Sequence, residues 1–355
     1  MHPDWNREAA PHNKDWRGQV FEPVDDCPLT NIRGQFICSR LHETPASDAW
    51  ANLPGLPVIR YHVGRYEALL RRNTMRSVLV TGVSTGIGWG ITKVLVQSGF
   101  HVFGSVRKTE DAGRLSKEFG EAYTPLVFDI TDESEVRAAA QKVRDQLDGE
   151  RLFGLVNNAG VAVPAPLMHQ PIADFRRQIE VNLVGALIVT QAFLPLLGTD
   201  RSLHGSPGRI INISSVGGRN GAPFLGAYAA SKHALEGLSE SLRRELMLYG
   251  IDVIVIGPGA VATPIWDKAA QEDVSGFAAT EYGAAAARAQ KFMVATGRKG
   301  LPPERVGEVV LHALTTPRPR VRYAVVAGNP ILHAVQRILP KRMMDNIIAR
   351  NLGFR

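Results

Sequence analysis

Tyr228 and Lys232 stand four positions apart in the segment YAASK. On a helix that spacing puts both side chains on one face. The pairing has a chemical meaning. A free phenol gives up its proton only near pH ~10. An ammonium beside it stabilises phenolate and lowers that value. Such a phenol can donate or accept a proton at a carbonyl or alcohol oxygen while hydride moves at the carbon. Upstream, Ser215 ends the run Asn212-Ile213-Ser214-Ser215, where a hydroxyl can hydrogen-bond the same substrate oxygen. Each piece alone has a plainer reading. A Tyr and a Lys one turn apart are commonly a surface pair, and two serines after a strand commonly form a turn.

A second group of residues suits a dinucleotide. Thr81-Gly82-Val83-Ser84-Thr85-Gly86-Ile87-Gly88 follows the short apolar run SVLVTG, residues 77–82. Glycines between a strand and a helix allow a tight turn and close approach of a ligand. The helix start offers free N–H groups and a positive dipole end, which together suit pyrophosphate. The spacing is G-x-x-x-G-x-G, and an ordinary glycine-rich loop is the alternative. Asp129, ending the run TPLVFDI, can accept from an adenine amino group or cap the helix that starts near Asp132. Asn157-Asn158-Ala159-Gly160 suits contact with a flat ribose or adenine, or a sharp turn. After the second apolar run comes Arg107-Lys108, with no carboxylate before Glu110. An acid there favours NAD, whereas an Arg accommodates a 2′-phosphate. Arg107, with Lys108 and the Thr85 hydroxyl, therefore favours NADP(H), with NAD(H) left open. No metal is expected, because the ten histidines are scattered and no H-x-x-x-H or C-x-x-C occurs.

These residues need elements to hold them. From residue 77 onward, short runs that are apolar throughout alternate with segments of helical period. Strands are expected at 77–82, 101–107, 124–130, 152–160, 208–215, 251–257 and 322–328. Helices are expected at 88–98, 109–119, 132–147, 173–197 and 227–249. That alternation predicts an α/β fold: a doubly wound parallel sheet of about seven strands, helices on both faces. Ligands of such sheets bind beyond the carboxyl ends of the strands, and the chemistry-bearing residues all fall there.

Composition narrows the class. The chain has 355 residues, 45% hydrophobic and 21% charged, which fits a globular protein with a large core. No uninterrupted apolar run reaches about 18 residues, so no clear membrane-spanning helix is expected. The first residues have no apolar core, and Cys27 and Cys38 are the only cysteines. A reducing, cytoplasmic setting is the expectation. The net charge of +7 sits in residues 317–355, where eight basic residues face one acid, Asp345. A nucleic-acid binder spreads basic charge along a groove, so no nucleic-acid partner is expected. Residues 1–74 carry three of the five tryptophans and no sustained period. They read as a poorly ordered N-terminal extension, or as residues upstream of a natural start at Met75.

Jointly, TGVSTGIG (81–88), Asp129, NNAG (157–160), Asn182 in VNLVG, Ser214-Ser215, YAASK (228–232) and PGAVAT (258–263) resemble the short-chain dehydrogenase/reductase family. The likeness is strong over about residues 75–263 and looser beyond. It implies a Rossmann-type single catalytic domain, residues 75–355, and an NAD(P)-dependent oxidoreductase acting on CH–OH groups. Tyr228 would be the general acid/base, and Lys232 would lower its pKa and bond the nicotinamide ribose. Ser215, at a family-like thirteen residues before Tyr228, would bond the substrate oxygen. Asn182 is similar to the family's helix-breaking asparagine and would hold a water in a proton relay with Lys232, or be a buried capping amide. Cofactor contacts would come from Gly82, Ser84, Thr85, Gly86, Ile87, Gly88, Arg107, Asp129, Ile130, Asn158, Ala159 and Gly160. Tyr228, Lys232, Pro258, Gly259, Val261 and Thr263 would complete them. The rival class is a regulatory protein of the same fold that senses a dinucleotide without turnover.

Residues 264–300 would form a substrate lid. Trp266, Phe277, Tyr282, Phe292 and Met293 suggest a hydrophobic small-molecule substrate such as a steroid, a retinoid or another lipid-like alcohol or ketone, or they simply cover the core. Residues 329–355 read as a basic amphipathic tail of the kind found in the retinol and 17β-hydroxysteroid dehydrogenase-like branch. Met343, Met344, Ile347 and Ile348 share one face. The tail can cap the cleft, pack in a homo-oligomer or lie on an anionic membrane as a peripheral contact.

Overall fold

The structure, a computed structural model, describes residues 75–271, 275–328 and 340–354. The expected extension, residues 1–74, lies outside the described residues, as do 329–339 of the tail.

Seven strands form one sheet: β1 (Ser77–Val80), β2 (His101–Val106), β3 (Tyr123–Val127), β4 (Gly154–Asn157), β5 (Arg209–Ile213), β6 (Asp252–Pro258) and β7 (Arg322–Val325). Their order is β3-β2-β1-β4-β5-β6-β7, and every neighbouring pair is parallel. All seven carboxyl ends therefore lie on one edge. The order reverses between β1 and β4, which is where such sheets open a crevice. The expected strands and helices are all present, mostly shorter at their ends than the apolar runs suggested.

The sheet is buried on both faces, which is why its strands are mainly apolar. Successive side chains alternate between two cores. Val78 and Val80 of β1 join Ile91, Leu95, Val306 and Val310 on one face. Leu79 joins Val136, Val143, Val189, Phe193 and Leu242 on the other. Each such residue contributes roughly 1.5–3 kcal/mol on burial. The first face carries α1 (Gly86–Gln97) and α9 (Pro303–Thr315), with α2 (Thr109–Phe119) at the β2–β3 end. The second carries α3 (Glu133–Leu147), α5 (Gly185–Leu194) and α6 (Gly226–Glu245). Helix α9 was not expected. It lies flat on α1, where an added Cβ on Gly90 would come within 2.6 Å of Pro303 and Lys93 pairs with Glu304 at 2.8 Å.

The single helix expected over 173–197 is broken. Helix α4 (Ile172–Ile179) passes into a wide π turn, Glu180–Val184, before α5 resumes, and a second π turn spans Pro195–Thr199. The whole stretch Ile172–Thr199 is long and apolar enough to cross a membrane by composition, which the search for unbroken apolar runs passed over. Half of its most apolar 18-residue window is buried inside the fold, with Val189, Phe193, Leu196 and Leu197 in the second core.

Beyond β6 the lid holds α7 (Ile265–Gln271) and α8 (Gly283–Arg298), with residues 272–274 outside the described set. The last helix, α10 (Lys341–Leu352), follows Pro340 as the amphipathic pattern predicts.

Candidate active site

Helix α6 begins two residues before Tyr228 and aims Tyr228 and Lys232 at the carboxyl end of β5. Ser215 sits immediately beyond that end, starting a short 3-10 turn in which its Oγ accepts from Gly217 N at 3.0 Å. The three groups converge. The Ser215 hydroxyl faces the Tyr228 phenol and favours its ionised form. A Cβ built on Gly217 would lie 3.3 Å from Ser215 Oγ and 3.6 Å from Tyr228 Cε1. Lys232 Nζ lies 5.9 Å from the centre of the Tyr228 ring. The neighbouring Ser214 faces away and donates to Glu236 Oε1 at 3.0 Å, so only Ser215 presents a hydroxyl to Tyr228.

Lys232 faces the Tyr228 ring and is held by a backbone carbonyl. It is 4% exposed, and its ammonium donates to the Ile213 carbonyl at 2.9 Å. Burial pushes the Tyr228 phenol above its usual value, with the Ser215 hydroxyl pulling it back. Burial also lowers Lys232 to about 8. Both groups are thus driven toward their neutral forms.

Asn182 lies in the π turn, 1% exposed. Its Oδ1 accepts from Val161 N at 2.7 Å, and its Nδ2 donates to Val161 O at 2.8 Å and to Ser231 Oγ at 3.0 Å. The amide therefore pins the segment after β4 to the helix that carries Tyr228. A Cβ built on Gly160 would lie 3.1 Å from Asn182 Oδ1 and 3.6 Å from Lys232 Nζ, so Gly160 lies beside both side chains. Beneath them runs a buried row from Thr190 through Asn157 and Asn212 to Ser239, in steps of 2.8–2.9 Å.

The glycine turn lies one strand away. Gly82 has φ +68° and Gly86 φ +65°, a region that L side chains rarely adopt. A side chain on Gly88 would run into the Gly82 carbonyl and come within 2.5 Å of Asn158 Nδ2. The turn is tied to its neighbours. Thr81 Oγ1 accepts from Asn158 N at 2.9 Å and Ala159 N at 3.0 Å, and Gly82 N donates to Ser105 Oγ at 3.1 Å. The N-cap residue of α1, Thr85, makes no side-chain cap bond, and the first turn of the helix holds no acid. By contrast, Asp132 caps α3. Uncapped N–H groups over a cradle that a side chain would fill fit a dinucleotide pyrophosphate.

The other expected cofactor residues fall around this crevice with two exceptions. Ser84 and Ile87 are half-buried and Thr85 is exposed on the turn, while Arg107 and Lys108 stand exposed after β2. Thr263 lies over the turn, its Cγ2 3.3 Å from a Cβ built on Gly86. Pro258 ends β6, and Gly259 N bonds Val325 O at 2.8 Å. Asp129 Oδ1 accepts from Thr131 N and Oγ1, while the adjacent cap is Asp132. The exceptions are Ile130 and Val261. The Ile130 side chain is buried against Gly185, and that of Val261 in the first core, so only their backbones can reach a ligand.

Residues passed over in the sequence also shape the site. Thr81 is a polar residue at a strand end, and that position was the available signal. Arg114 Nη2 donates to Ser84 O at 2.6 Å and braces the turn from α2; nothing in its spacing marks it. In the loop before α6 and on the lid, Phe224 and Tyr282 stand edge to face at 6.3 Å, and Phe354 meets both at 6.4 Å. Phe224 is buried with φ +67°, a conformation costing about 1–3 kcal/mol for such a residue.

The family model for short chain dehydrogenase matches residues 76–274. The chain belongs to this family. It is 39% identical over 278 residues to an NADPH-dependent 3-dehydrocapnine reductase of Ornithobacterium rhinotracheale, covering 78% of this chain and 98% of the relative. It is 33% identical over 267 residues to estradiol 17-beta-dehydrogenase 2 of Mus musculus, covering 72% and 66%. Its fold matches the crystal structure of a short-chain dehydrogenase from Streptomyces avermitilis with a TM-score of 0.62 at 25% identity, covering 79% of this chain and 98% of that one. This short-chain dehydrogenase is thus an NAD(P)-dependent oxidoreductase acting on CH–OH or carbonyl groups.

Proposed function

We propose that this enzyme is an NADP(H)-preferring dehydrogenase/reductase of an apolar alcohol–carbonyl pair, with Tyr228 as general acid/base. The observation that carries the reading is the meeting of Ser215, Tyr228 and Lys232 beside the glycine turn. NADP(H), when bound, supplies or takes the hydride at its nicotinamide ring. Gly82, Gly86 and Gly88 cradle the pyrophosphate, and Arg107 with Thr85 receives the 2′-phosphate. The NADPH dependence named for the Ornithobacterium relative supports that preference. Thr263 and Pro258–Gly259 hold the nicotinamide side. Ser215 donates to the substrate oxygen and Tyr228 gives or takes its proton. Lys232 keeps a positive charge behind the phenol, and Asn182 holds the far end of the proton path.

The substrate class is read from the walls. Phe224, Tyr282 and Phe354, with His169 5.8 Å from Tyr282, make an aromatic cluster between the lid and the loop that leads into α6. Leu167, Met168 and Ile172 are exposed nearby in the chain after β4. A relative named for estradiol supports a bulky apolar substrate. The tail serves as a cap: Arg288 of α8 donates to Leu352 O at 2.6 Å, which seats α10 on the lid. NADPH oxidation over a panel of hydrophobic ketones and aldehydes tests the proposal. Tyr228→Phe should lose more than about 10³-fold in kcat and keep its NADPH affinity. A near-wild-type rate in that variant would refute the mechanism.

A further inference from the structure

Behind Ser215 lies a buried ion pair that the proposed chemistry does not use. Arg322 of β7 donates through Nε to both oxygens of Glu236, at 3.1 and 3.0 Å, and through Nη2 to Oε1 at 2.8 Å. The two side chains are only 9% and 14% exposed. Three further contacts converge on the pair. Ser214 Oγ donates to Glu236 Oε1 at 3.0 Å, Arg219 Nε donates to Oε2 at 3.1 Å, and Arg322 Nη2 donates to the Ser215 carbonyl at 3.3 Å. The fold leaves room for this arrangement. Arg322 crosses β6 at Gly257, where a Cβ would come within 2.5 Å of Nη2. Gly218 leaves space for Glu236, whose Oε1 would be 2.7 Å from a Cβ there.

A buried ion pair is a poor device for stability alone, because removing two charges from water offsets most of their attraction. It is a good device for holding a backbone in place. Here its bonds end on both residues of the Ser214–Ser215 step, one through a side chain and one through a carbonyl. They also join that step to α6, the helix carrying Tyr228, through Glu236.

We infer that Arg322 and Glu236 are positioning residues that lock the Ser214–Ser215 backbone so that the Ser215 hydroxyl faces Tyr228. The inference rests on the proposed role of Ser215. Neither side chain touches the reacting atoms, so both act through Ser215.

The test is a set of double-mutant cycles in the full-length protein. Arg322→Met and Glu236→Gln are made in the wild type and in Ser215→Ala, and kcat, KM, NADPH dissociation constant and melting temperature are measured. In the wild-type background kcat should fall about 10–100-fold, with NADPH affinity within about twofold, because a small misplacement of a reacting group costs that much. In the Ser215→Ala background the same changes should cost less than about twofold, since the group they position is gone. An equal fold-loss in both backgrounds, or a folded variant with wild-type kcat, overturns the inference. If Arg322→Met does not fold, Glu236→Gln carries the same test, because it keeps the shape and most hydrogen bonds. A wild type that turns over no carbonyl overturns the function and this inference together. An active wild type with unaffected variants overturns the inference alone.

Discussion

Lys232 ties the chemistry of the site to the stability of the fold. Its side chain is 4% exposed, and its ammonium has one hydrogen bond, to the Ile213 carbonyl. Burial lowers its pKa from 10.5 to about 8. That drop corresponds to about 3 kcal/mol disfavouring the charged form in the folded protein. Below pH 8 both folded and unfolded chains hold the proton, and the whole penalty is present. Between about 8 and 10.5 the unfolded chain still holds it while the folded chain has released it, so stability rises with pH through this window. Lys232→Met has no proton to release. The difference in unfolding free energy, wild type minus Lys232→Met, should therefore rise by about 3 kcal/mol from pH 7 to pH 10.5. The slope is a cleaner observable than either absolute value, because the substitution also leaves the Ile213 carbonyl without its donor, at about 1–3 kcal/mol. Urea unfolding followed by tryptophan fluorescence at four or five pH values measures it. Two curves that stay parallel from pH 7 to 10.5 would show that Lys232 keeps its proton in the fold, and the burial argument would fail.

Arg107→Ala should raise the NADPH dissociation constant about 10-fold or more and leave that of NADH within twofold, as expected for losing one charge-assisted contact to a phosphate; fluorescence titration with both cofactors reads this, and equal weakening of the two would mean Arg107 does not read the 2′-phosphate. Phe354→Ala removes two ring contacts of about 0.5–1.5 kcal/mol each. It should raise KM for large apolar substrates several-fold with little change for small ones, and an unchanged KM across the series would remove α10 from the substrate wall.

The sheet was legible because a strand buried on both faces must be mainly apolar, and β1, β4, β5 and β6 are. The glycine turn was legible because its conformation excludes side chains. Tyr228 and Lys232 were legible because four-residue spacing on a helix fixes a shared face. Other features depend on contacts distant in sequence. Arg322 bonds Glu236 across 86 residues, and no local pattern connects a strand arginine to a helix glutamate. Helix α9 carries the apolar spacing Val306, Val310, Ala313, yet no element was expected between the lid, which ends at 300, and the strand at 322–328. The break at Asn182 was implied by the family resemblance and not by the local pattern, because a π turn keeps helical composition and changes only the hydrogen bonding. Lys232 was placed on the right face, but its electrostatic effect depends on where Nζ ends, and the Ile213 carbonyl takes it.

That last point bears on the direction of the reaction. Burial favours neutral Tyr228, and Lys232 keeps its charge only below about pH 8. Glu236, one turn beyond Lys232 on α6, is bonded to Arg322 and Arg219. At neutral pH the proton therefore resides on the phenol, the form needed to protonate a carbonyl oxygen as hydride arrives. Alcohol oxidation needs the phenolate first, which this environment opposes. Carbonyl reduction should be level up to about pH 8 and decline above it as Lys232 loses its charge. Alcohol oxidation should instead climb with pH across the range in which the phenol ionises. Initial rates in both directions from pH 6 to 10 separate the two limbs, and an oxidation optimum at or below that of reduction would mean that the phenol is already ionised near neutrality.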